Sequence, residues 1–291
     1  MRKKEEKVRT MKKYKKLIIF FSVVAVLALS VAFIMVHHWY IPHINDSFSI
    51  SAHTSHQPEM ISHRGLSSMA PENTIPAVEL SVEYGYDGCE FDIHTTKDGK
   101  WVVIHNESVE DMTDGEGMVA DYTLEEIRKL KIDGGEGFEN YKDLQIPTLD
   151  EVLEKLEGTE TAPIVEIKNC DTRYLPDLKA ALEKYNLSEK ANIISFKREY
   201  LEEYKKLDGD AKLQLLVSKI SEDDINWCVE NGVDTVSFHF LSFYKSIKGW
   251  LAARKNGITL AAWTVDNTVF KDVMVLIGAK KITTNQLIVN K

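Results

Sequence analysis

Beginning near Pro58, short apolar runs alternate with amphipathic stretches, and this rhythm restricts the possible folds more than any other feature of the sequence. Apolar runs bounded by turn signals are typical of buried strands, and an apolar residue every three or four positions is typical of a helix. The predicted strands are Met60–His63, Gly88–Asp92, Ile164–Lys168, Asn192–Phe196, Leu213–Val217, Thr235–Phe238, Leu260–Trp263 and Lys281–Thr284. The predicted helices between them are Thr74–Glu83, Leu149–Leu156, Leu175–Tyr185, Tyr200–Lys206, Glu222–Asn231, Leu241–Lys255 and Val269–Ile277. Eight such alternations in about 230 residues predict the α/β class and a (β/α)₈ TIM barrel.

A doubly wound open sheet is the alternative architecture for the same alternation. Such folds bind nucleotides through glycine-rich loops that join a strand to a helix. Neither a GxGxxG nor a GxxxxGK[ST] motif opens any of the predicted helices. The barrel is therefore the preferred prediction, and its active site is expected where the strands end and the loops begin.

The densest group of chemically useful side chains lies between Cys89 and His105. Glu90 and Asp92 alternate with apolar residues, so both carboxylates point to the same face of a strand. A turn signal at 97–99 then predicts a hairpin whose returning arm brings His105 back to the level of Asp92. Residues 106–147 follow without strand–helix rhythm and contain one short predicted helix, Leu124–Leu130, so we expect an inserted cap above the barrel.

Polar side chains also stand at the ends of neighbouring predicted strands. The group expected at this edge comprises three carboxylates, two histidines and two cations: Glu90, Asp92, Glu166, His63, His105, Arg64 and Lys168. Each of these residues alone has a structural reading, as an ordinary ion pair or a core histidine. Three facing carboxylates, however, repel one another and need a counter-ion. Oxygen donors favour a hard divalent cation, Ca²⁺ or Mg²⁺, over zinc.

The N-terminal segment predicts a membrane anchor. Residues 17–36 form an uncharged apolar run of 20 residues, which as a helix spans about 30 Å, one hydrocarbon core. A cleaved secretory signal is the alternative, but its apolar region is usually shorter, about 7–15 residues. The basic head 1–16 belongs on the cytoplasmic side, so we expect a single-pass cell-membrane protein with its barrel, 58–291, outside the cytoplasm. The polar segment 37–57 is interpreted as a stalk.

The charge distribution argues against nucleic acid as a partner. Nine Lys and Arg residues against Glu5 and Glu6 give residues 1–16 a net charge of +7. Because the whole chain carries −9, the remainder carries −16. So acidic a body should not bind nucleic acid through a general basic surface. This acidic composition is compatible with a site in which negative side chains surround a cation.

Seven motifs, in order, resemble the glycerophosphodiester phosphodiesterase family. They are His63-Arg64-Gly65, Pro71-Glu72-Asn73-Thr74, Glu90-Phe91-Asp92, Thr96-Lys97-Asp98-Gly99, Val102-Val103-Ile104-His105, Ile146-Pro147-Thr148-Leu149 and Glu166-Ile167-Lys168. The likeness covers about residues 59–291 and includes Ala262-Trp263-Thr264-Val265 near the end. What it implies is a barrel with a small inserted segment, a divalent cation, and hydrolysis of glycerophosphodiesters to glycerol 3-phosphate and an alcohol.

The resemblance also implies a role for each matching residue. The implied metal ligands are Glu90, Asp92 and Glu166, with Glu72 as a further residue at the metal. His63 and His105 are the implied general acid/base pair, and Arg64 and Lys168 the implied phosphate-binding residues. Phe196 and Trp263 are similar to the wall beside the glycerol. The nucleophile is either water or the substrate's own 2-hydroxyl, and the sequence leaves both open.

Several positions depart from the family pattern. Asn106 and Asn285 stand where the family usually has Asp, and the usual Arg is missing from 107–113. Gln286-Leu287 replaces the usual proline-containing end. Asn106 can still position a neighbour by hydrogen bonding, although it adds no charge. These changes bear on rate and substrate choice more than on reaction type.

Two other functions are compatible with the same barrel. One is a phosphodiesterase that acts on lipids or on glycerophosphate-containing envelope polymers, which the predicted anchor favours. The other is a catalytically weak binding or scaffold protein, against which the presence of both histidines and all three proposed metal carboxylates argues.

Overall fold

The computed structural model describes residues 57–286, and within them nine strands form one sheet. The strands are β1 (Glu59–Ser62), β2 (Gly88–Thr95), β3 (Trp101–Val103), β4 (Ala162–Asn169), β5 (Asn192–Ser195), β6 (Lys212–Val217), β7 (Thr235–His239), β8 (Thr259–Trp263) and β9 (Ala279–Thr284). All except β3 are parallel, and they close into a ring because β1 pairs with both β9 and β2. The predicted eight-stranded barrel is confirmed, each strand ending within three residues of its predicted limits.

Eight α-helices accompany the strands in the described part of the chain. They are α1 (Ile75–Glu83), α2 (Leu124–Ile127), α3 (Leu149–Leu156), α4 (Leu175–Lys184), α5 (Arg198–Leu207), α6 (Glu222–Glu230), α7 (Ile247–Asn256) and α8 (Thr268–Leu276). Seven of them cross over between successive barrel strands, and α2 lies in the insert. Local signals fix their ends: Thr148 and Ser221 begin α3 and α6 in capping boxes, and Gly257 ends α7 in the left-handed conformation.

One predicted helix is interrupted. The stretch predicted as Leu241–Lys255 consists of a 3₁₀ helix, Phe240–Lys245, followed by α7. Ser246 stands at the break, where its buried hydroxyl accepts a hydrogen bond from the backbone N–H of Ile220. This tertiary contact explains the break, which the helical periodicity of the sequence does not show.

The apolar side chains of the barrel lie in two layers. Most face outward from the strands and pack beneath the helices, as Phe91 and Ile93 of β2 do. A smaller cluster lies inside the ring: Ile61, Ile164, Ile194 and Leu216. Because side chains alternate along a strand, the outward apolar residues of β2 leave Glu90 and Asp92 on the other face of the strand.

The insert between β3 and α3 is a packed substructure with an apolar core of its own. That core comprises Val102, Ile104, Val109, Val119, Ile127 and Ile146. Arg128 fastens it to the barrel by a two-pronged ion pair with Glu151 of α3, both bonds measuring 2.8 Å. The segment predicted as an inserted cap, 106–147, thus packs against the barrel through α3.

The predicted basic head 1–16, the predicted membrane anchor 17–36 and all but the last residue of the predicted stalk 37–57 lie outside the described residues. Within 57–286, no helix has the length and apolar character needed to cross a membrane.

The loop after β1 depends on a glycine. Arg64 and Gly65 both adopt the left-handed conformation, with φ of 58° and 77°. The Gly65 N–H donates to the Glu90 carbonyl at 3.0 Å, and the loop passes so close to α1 that a Cβ on Gly65 would lie 2.7 Å from the Cβ of Ala77. Only glycine fits such a position without displacing its neighbours.

Gly65→Ala should therefore lower the free energy of unfolding by about 2–5 kcal/mol, which combines a left-handed penalty with overpacking. Gly158→Ala is the matched control, because Gly158 has φ of 71° but no neighbouring atom within 4 Å of the position that a Cβ would take. The control should lose only about 1–2 kcal/mol. Urea unfolding of the full chain measures both, and equal losses would contradict the packing argument.

Candidate active site

The register between β2 and β4 brings three carboxylates together. Asp92 pairs with Glu166 across the two strands, and Glu90 lies two residues before Asp92 on the same face. Glu90, Asp92 and Glu166 are only 3%, 1% and 8% exposed. One oxygen atom of each lies within 4.8 Å of those of the other two. The structure thus joins the three residues as their strand positions predicted.

Arg64 approaches this group from the loop after β1. Its backbone N–H donates to Glu90 Oε2 at 2.8 Å, and its guanidinium Nε lies 3.6 Å from Asp92 Oδ2. Its Nη1 donates to both oxygens of Glu72, at 2.8 and 2.9 Å. Glu72, predicted as a further residue at the metal, therefore lies against the guanidinium and outside the three-carboxylate group.

Asn73 is a member of the site to which the sequence analysis gave no role. It is buried, has a left-handed φ of 57°, and forms a mutual pair with Asp92. Its Nδ2 donates to Asp92 Oδ2 at 2.9 Å, and its Oδ1 accepts from the Asp92 N–H at 3.0 Å. The available sequence signal was its place in the Pro71-Glu72-Asn73-Thr74 motif, two residues before α1.

Lys168, on β4, also contacts the carboxylate group. Its Nζ lies 2.9 Å from Glu166 Oε1 and 3.6 Å from Asp92 Oδ1. The same atom lies 3.2 Å from His105 Nε2. One ammonium group thus connects two carboxylates to one of the predicted acid/base histidines.

Burial and mutual repulsion divide the carboxylates electrostatically. Burial, together with the charge of Asp92, raises the pKa of Glu166 to about 7 and that of Glu90 well above its usual value. Burial acts in the same direction on Asp92, but Lys168, His105 and Arg64 outweigh it and hold the pKa of Asp92 below its usual value. Without a further positive charge, the group therefore favours one ionised carboxylate surrounded by protonated neighbours.

The donor set fits a divalent cation. Among the described residues, Asp92 Oδ1 is a buried oxygen with no hydrogen-bond partner. When ionised, four carboxylates (Glu90, Asp92, Glu166 and Glu72) face two permanent cations, Arg64 and Lys168, which leaves two negative charges uncompensated. An all-oxygen set of this charge suits a hard divalent ion.

The two predicted acid/base histidines line the same cleft as the carboxylate group. His63 follows β1, and its Nδ1 lies 2.8 Å from Oδ1 of Asn285, at the end of β9. His105 follows the hairpin arm, which returns to the level of Asp92 as predicted because the Ile104 N–H donates to the Asp92 carbonyl at 3.0 Å. Burial lowers the pKa of both imidazoles, so both favour the neutral form.

Most of the predicted site residues line a single cleft with an empty volume of about 740 Å³. Eight of the ten do so: His63, Arg64, Glu90, His105, Glu166, Lys168, Phe196 and Trp263. Phe196 and Trp263 form an edge-to-face aromatic pair with ring centroids 5.7 Å apart. The Trp263 Nε1 is buried without a hydrogen-bond partner in the described part of the chain.

A parallel eight-stranded α/β barrel with acidic, basic and imidazole groups at the carboxyl ends of its strands is the arrangement of a barrel enzyme. The sequence model of the glycerophosphoryl diester phosphodiesterase family matches residues 63–289. The chain belongs to this family.

Individual relatives agree with the family match. A glycerophosphodiester phosphodiesterase of Caldanaerobacter subterraneus subsp. tengcongensis is 38% identical over 233 residues, which cover 78% of this chain and 93% of the relative. A Bacillus subtilis protein of the same name is 32% identical over 71% of this chain and 76% of its own length. The fold is also that of an Oleispira antarctica phosphodiesterase solved with sn-glycerol-3-phosphate, with a TM-score of 0.71, 23% identity, and coverage of 78% and 93% of the two chains.

Replacing Glu90 should raise stability relative to the wild type in chelator and lower it relative to the wild type when a cation is bound. In chelator, Glu90→Gln should raise Tm by about 2–4 °C for each kcal/mol recovered, because Gln removes the cost of burying an acid that must either repel Asp92 or take up a proton, and it can still accept the Arg64 N–H. Millimolar Ca²⁺ or Mg²⁺ should raise the Tm of the wild type by mass action and leave the variant unchanged. Thermal unfolding with both additives measures this.

Glu230→Gln at the exposed end of α6 is the control and should match the wild type in both conditions. A Glu90→Gln variant that is less stable in chelator, or that keeps the full cation-dependent shift, would contradict the repulsion argument.

Proposed function

We propose that the protein hydrolyses glycerophosphodiesters to glycerol 3-phosphate and an alcohol, in a metal-dependent reaction with His63 and His105 as the acid/base pair. Membership of the family supports the reaction class. The observation that carries the proposal is the single cleft that both histidines share with Glu90, Glu166 and the cations. In this cleft the two histidines would act as proton-transfer groups beside a site for anionic oxygen.

Glu90, Asp92 and Glu166 would hold the divalent cation, which we propose to be Ca²⁺ or Mg²⁺. When bound, such a cation neutralises the negative charge that develops on the non-bridging phosphate oxygens. The unpartnered Asp92 Oδ1 and the mutual distances within the group support this assignment. Asn73 keeps the Asp92 carboxylate in one orientation.

Arg64 and Lys168 would bind the phosphate from either side of the carboxylates. Arg64 is held in place by Glu72, so its guanidinium is already oriented before substrate arrives. Its buried Nε has no hydrogen-bond partner among the described residues, which leaves a donor for an anionic oxygen. Lys168 is placed between Glu166 and His105 and brings its charge to the reacting side.

The two imidazoles divide the proton transfers. One takes a proton from the nucleophile, and the other donates a proton to the departing alkoxide. Their lowered pKa values keep the base in its neutral form at neutral pH. The arrangement serves water or the substrate's 2-hydroxyl as nucleophile, and the second would yield a cyclic phosphate first.

Phe196 and Trp263 would form the wall beside the glycerol moiety. The two rings present apolar carbon to the glycerol backbone, and the unpartnered Trp263 Nε1 offers a donor for a hydroxyl oxygen. Substrates would include deacylated phospholipid head groups, and envelope polymers that contain glycerophosphate are the second class to test.

Glycerol 3-phosphate release from a panel of diesters tests this function directly. With glycerophosphocholine and added Ca²⁺ or Mg²⁺, we expect turnover that chelator abolishes. His63→Gln and His105→Gln should each lower kcat about 10²–10⁴-fold, the usual contribution of general acid–base catalysis. His56→Gln, in the predicted stalk, is the matched control and should retain full activity. No release from any diester with metal present would refute the proposal.

We further propose that residues 17–36 anchor the protein in the cell membrane, with 1–16 in the cytoplasm and the barrel outside. The length of the apolar run and the basic segment before it support this topology. It would place the cleft on the side of the membrane where envelope glycerophosphodiesters occur.

Cell fractionation and surface proteolysis test the topology. The full chain should stay with membranes in alkaline carbonate, and protease added to intact spheroplasts should digest the barrel. An Ala25→Arg/Leu29→Arg variant should lose the anchoring, since each central Arg costs about 2.5–3.5 kcal/mol of insertion free energy. Ala32→Val is the apolar control. A wild-type chain that is soluble, or protected from external protease, would overturn the topology.

A further inference from the structure

The Nδ1 atom of each of the two site histidines is hydrogen-bonded to the side-chain oxygen of an asparagine. Asn285 Oδ1 lies 2.8 Å from Nδ1 of His63, and Asn106 Oδ1 lies 2.6 Å from Nδ1 of His105. The two asparagines come from distant parts of the chain: Asn106 follows its histidine directly, whereas Asn285 is 222 residues away from His63. The same contact is thus made twice by unrelated segments.

An aspartate fixes the orientation of the first asparagine. Asn285 Nδ2 donates to Asp266 Oδ2 at 2.7 Å, and the Asn285 backbone N–H donates to Asp266 Oδ1 at the same distance. The Ser67 hydroxyl donates to Asn285 Oδ1 at 3.0 Å. The reverse orientation of the amide would set its carbonyl oxygen against the carboxylate, two acceptors face to face. The oxygen therefore faces His63.

The second asparagine is fixed in the same manner. Asn106 Nδ2 donates to Asp111 Oδ2, a residue of the insert. Since the carboxylate accepts from the amide nitrogen, the amide oxygen must face His105. The insert thereby reaches the reacting histidine through one intervening side chain.

These orientations determine which ring nitrogen carries the proton. An amide oxygen only accepts, so Nδ1 of each imidazole must donate, and in a neutral ring Nε2 is then the free acceptor. His105 supports this independently, because the Lys168 ammonium has only donors and lies 3.2 Å from Nε2. The partners of both ring nitrogens of His105 therefore indicate the same tautomer, the one protonated at Nδ1.

We infer that Asn106 and Asn285, held by Asp111 and Asp266, are positioning residues that keep Nδ1 of both histidines protonated, so that Nε2 is the atom that accepts a proton in the base and, from the imidazolium form, donates one in the acid. The inference rests on the proposed function in that it assigns these histidines to proton transfer. Neutral amides suit the base, because they orient its ring without adding a charge that would stabilise the imidazolium. Both stand at the two positions where the chain departs from the Asp of the family pattern.

Exchange of the Asn106–Asp111 pair gives the sharpest kinetic test. Asn106→Ala in the full chain should lower kcat about 10- to 100-fold, a part of the general acid–base contribution, with KM for glycerophosphocholine within about twofold because no substrate contact is removed. The exchange variant Asn106→Asp/Asp111→Asn keeps an acceptor on Nδ1 and a hydrogen bond behind it. It should recover kcat to within about threefold of the wild type, since the general base keeps its geometry.

Asp114→Ala is the matched control within the insert, because Asp114 accepts a backbone hydrogen bond from Lys131 and touches neither histidine. It should keep the wild-type kcat. Asn285→Ala tests the second pair, with a urea unfolding curve to show that the chain still folds. A kcat at the wild-type level in both Asn106→Ala and Asn285→Ala would overturn the inference while leaving the proposed function intact.

Histidine-selective ¹⁵N NMR reads the tautomers without depending on turnover. With Mg²⁺ present at pH 8, the signals missing from His63→Gln and His105→Gln identify the two rings. The wild type should show protonated Nδ1 and unprotonated Nε2 in both, and Asn106→Ala should show a mixture of tautomers for His105. Protonated Nε2 with bare Nδ1 in the wild type would refute the inference, whether or not the enzyme turns over.

Discussion

Mutual repulsion among three buried carboxylates is the constraint on which the rest of the site depends. Glu90, Asp92 and Glu166 lie too close together to be ionised at once without compensation. Arg64 and Lys168 supply part of the compensating positive charge. Because this compensation is incomplete, a divalent cation is chemically suitable for the site. The loop after β1, in which Arg64 adopts the left-handed conformation, brings a guanidinium to that group.

The polar groups of the site fall into two electrostatic zones, and the same barrel positions both. Around the carboxylates the partners are charged, whereas the imidazoles are held by the neutral amides of Asn106 and Asn285. This division suits a phosphodiester, whose phosphate needs fixed positive charge while the general base needs a ring that is neutral at rest. The closed ring of strands holds the two zones at fixed positions relative to each other. The packed insert holds Asn106, and through it His105, by means of Asp111.

The sequence predicted what is local and periodic. Period-two alternation placed Glu90 and Asp92 on one face, and the hairpin turn returned His105 to their level, because both depend on neighbouring residues alone. The strand ends also predicted that Glu166 meets Glu90 and Asp92, but individual hydrogen bonds between distant segments were not predicted. The pairing of Asn285 with His63 spans the whole barrel and exists only once β9 closes against β1. The break at Ser246 likewise depends on a tertiary hydrogen bond that periodicity does not show.

The most direct test of the account is anomalous diffraction from crystals of the protein grown with Mn²⁺, a substitute for Mg²⁺ or Ca²⁺ that takes the same oxygen ligands. We expect one strong peak about 2.0–2.6 Å from oxygens of Glu90, Asp92 and Glu166, the range of hard-cation coordination. A well-ordered cleft without such a peak at saturating Mn²⁺, or with the ion bound elsewhere, would contradict it.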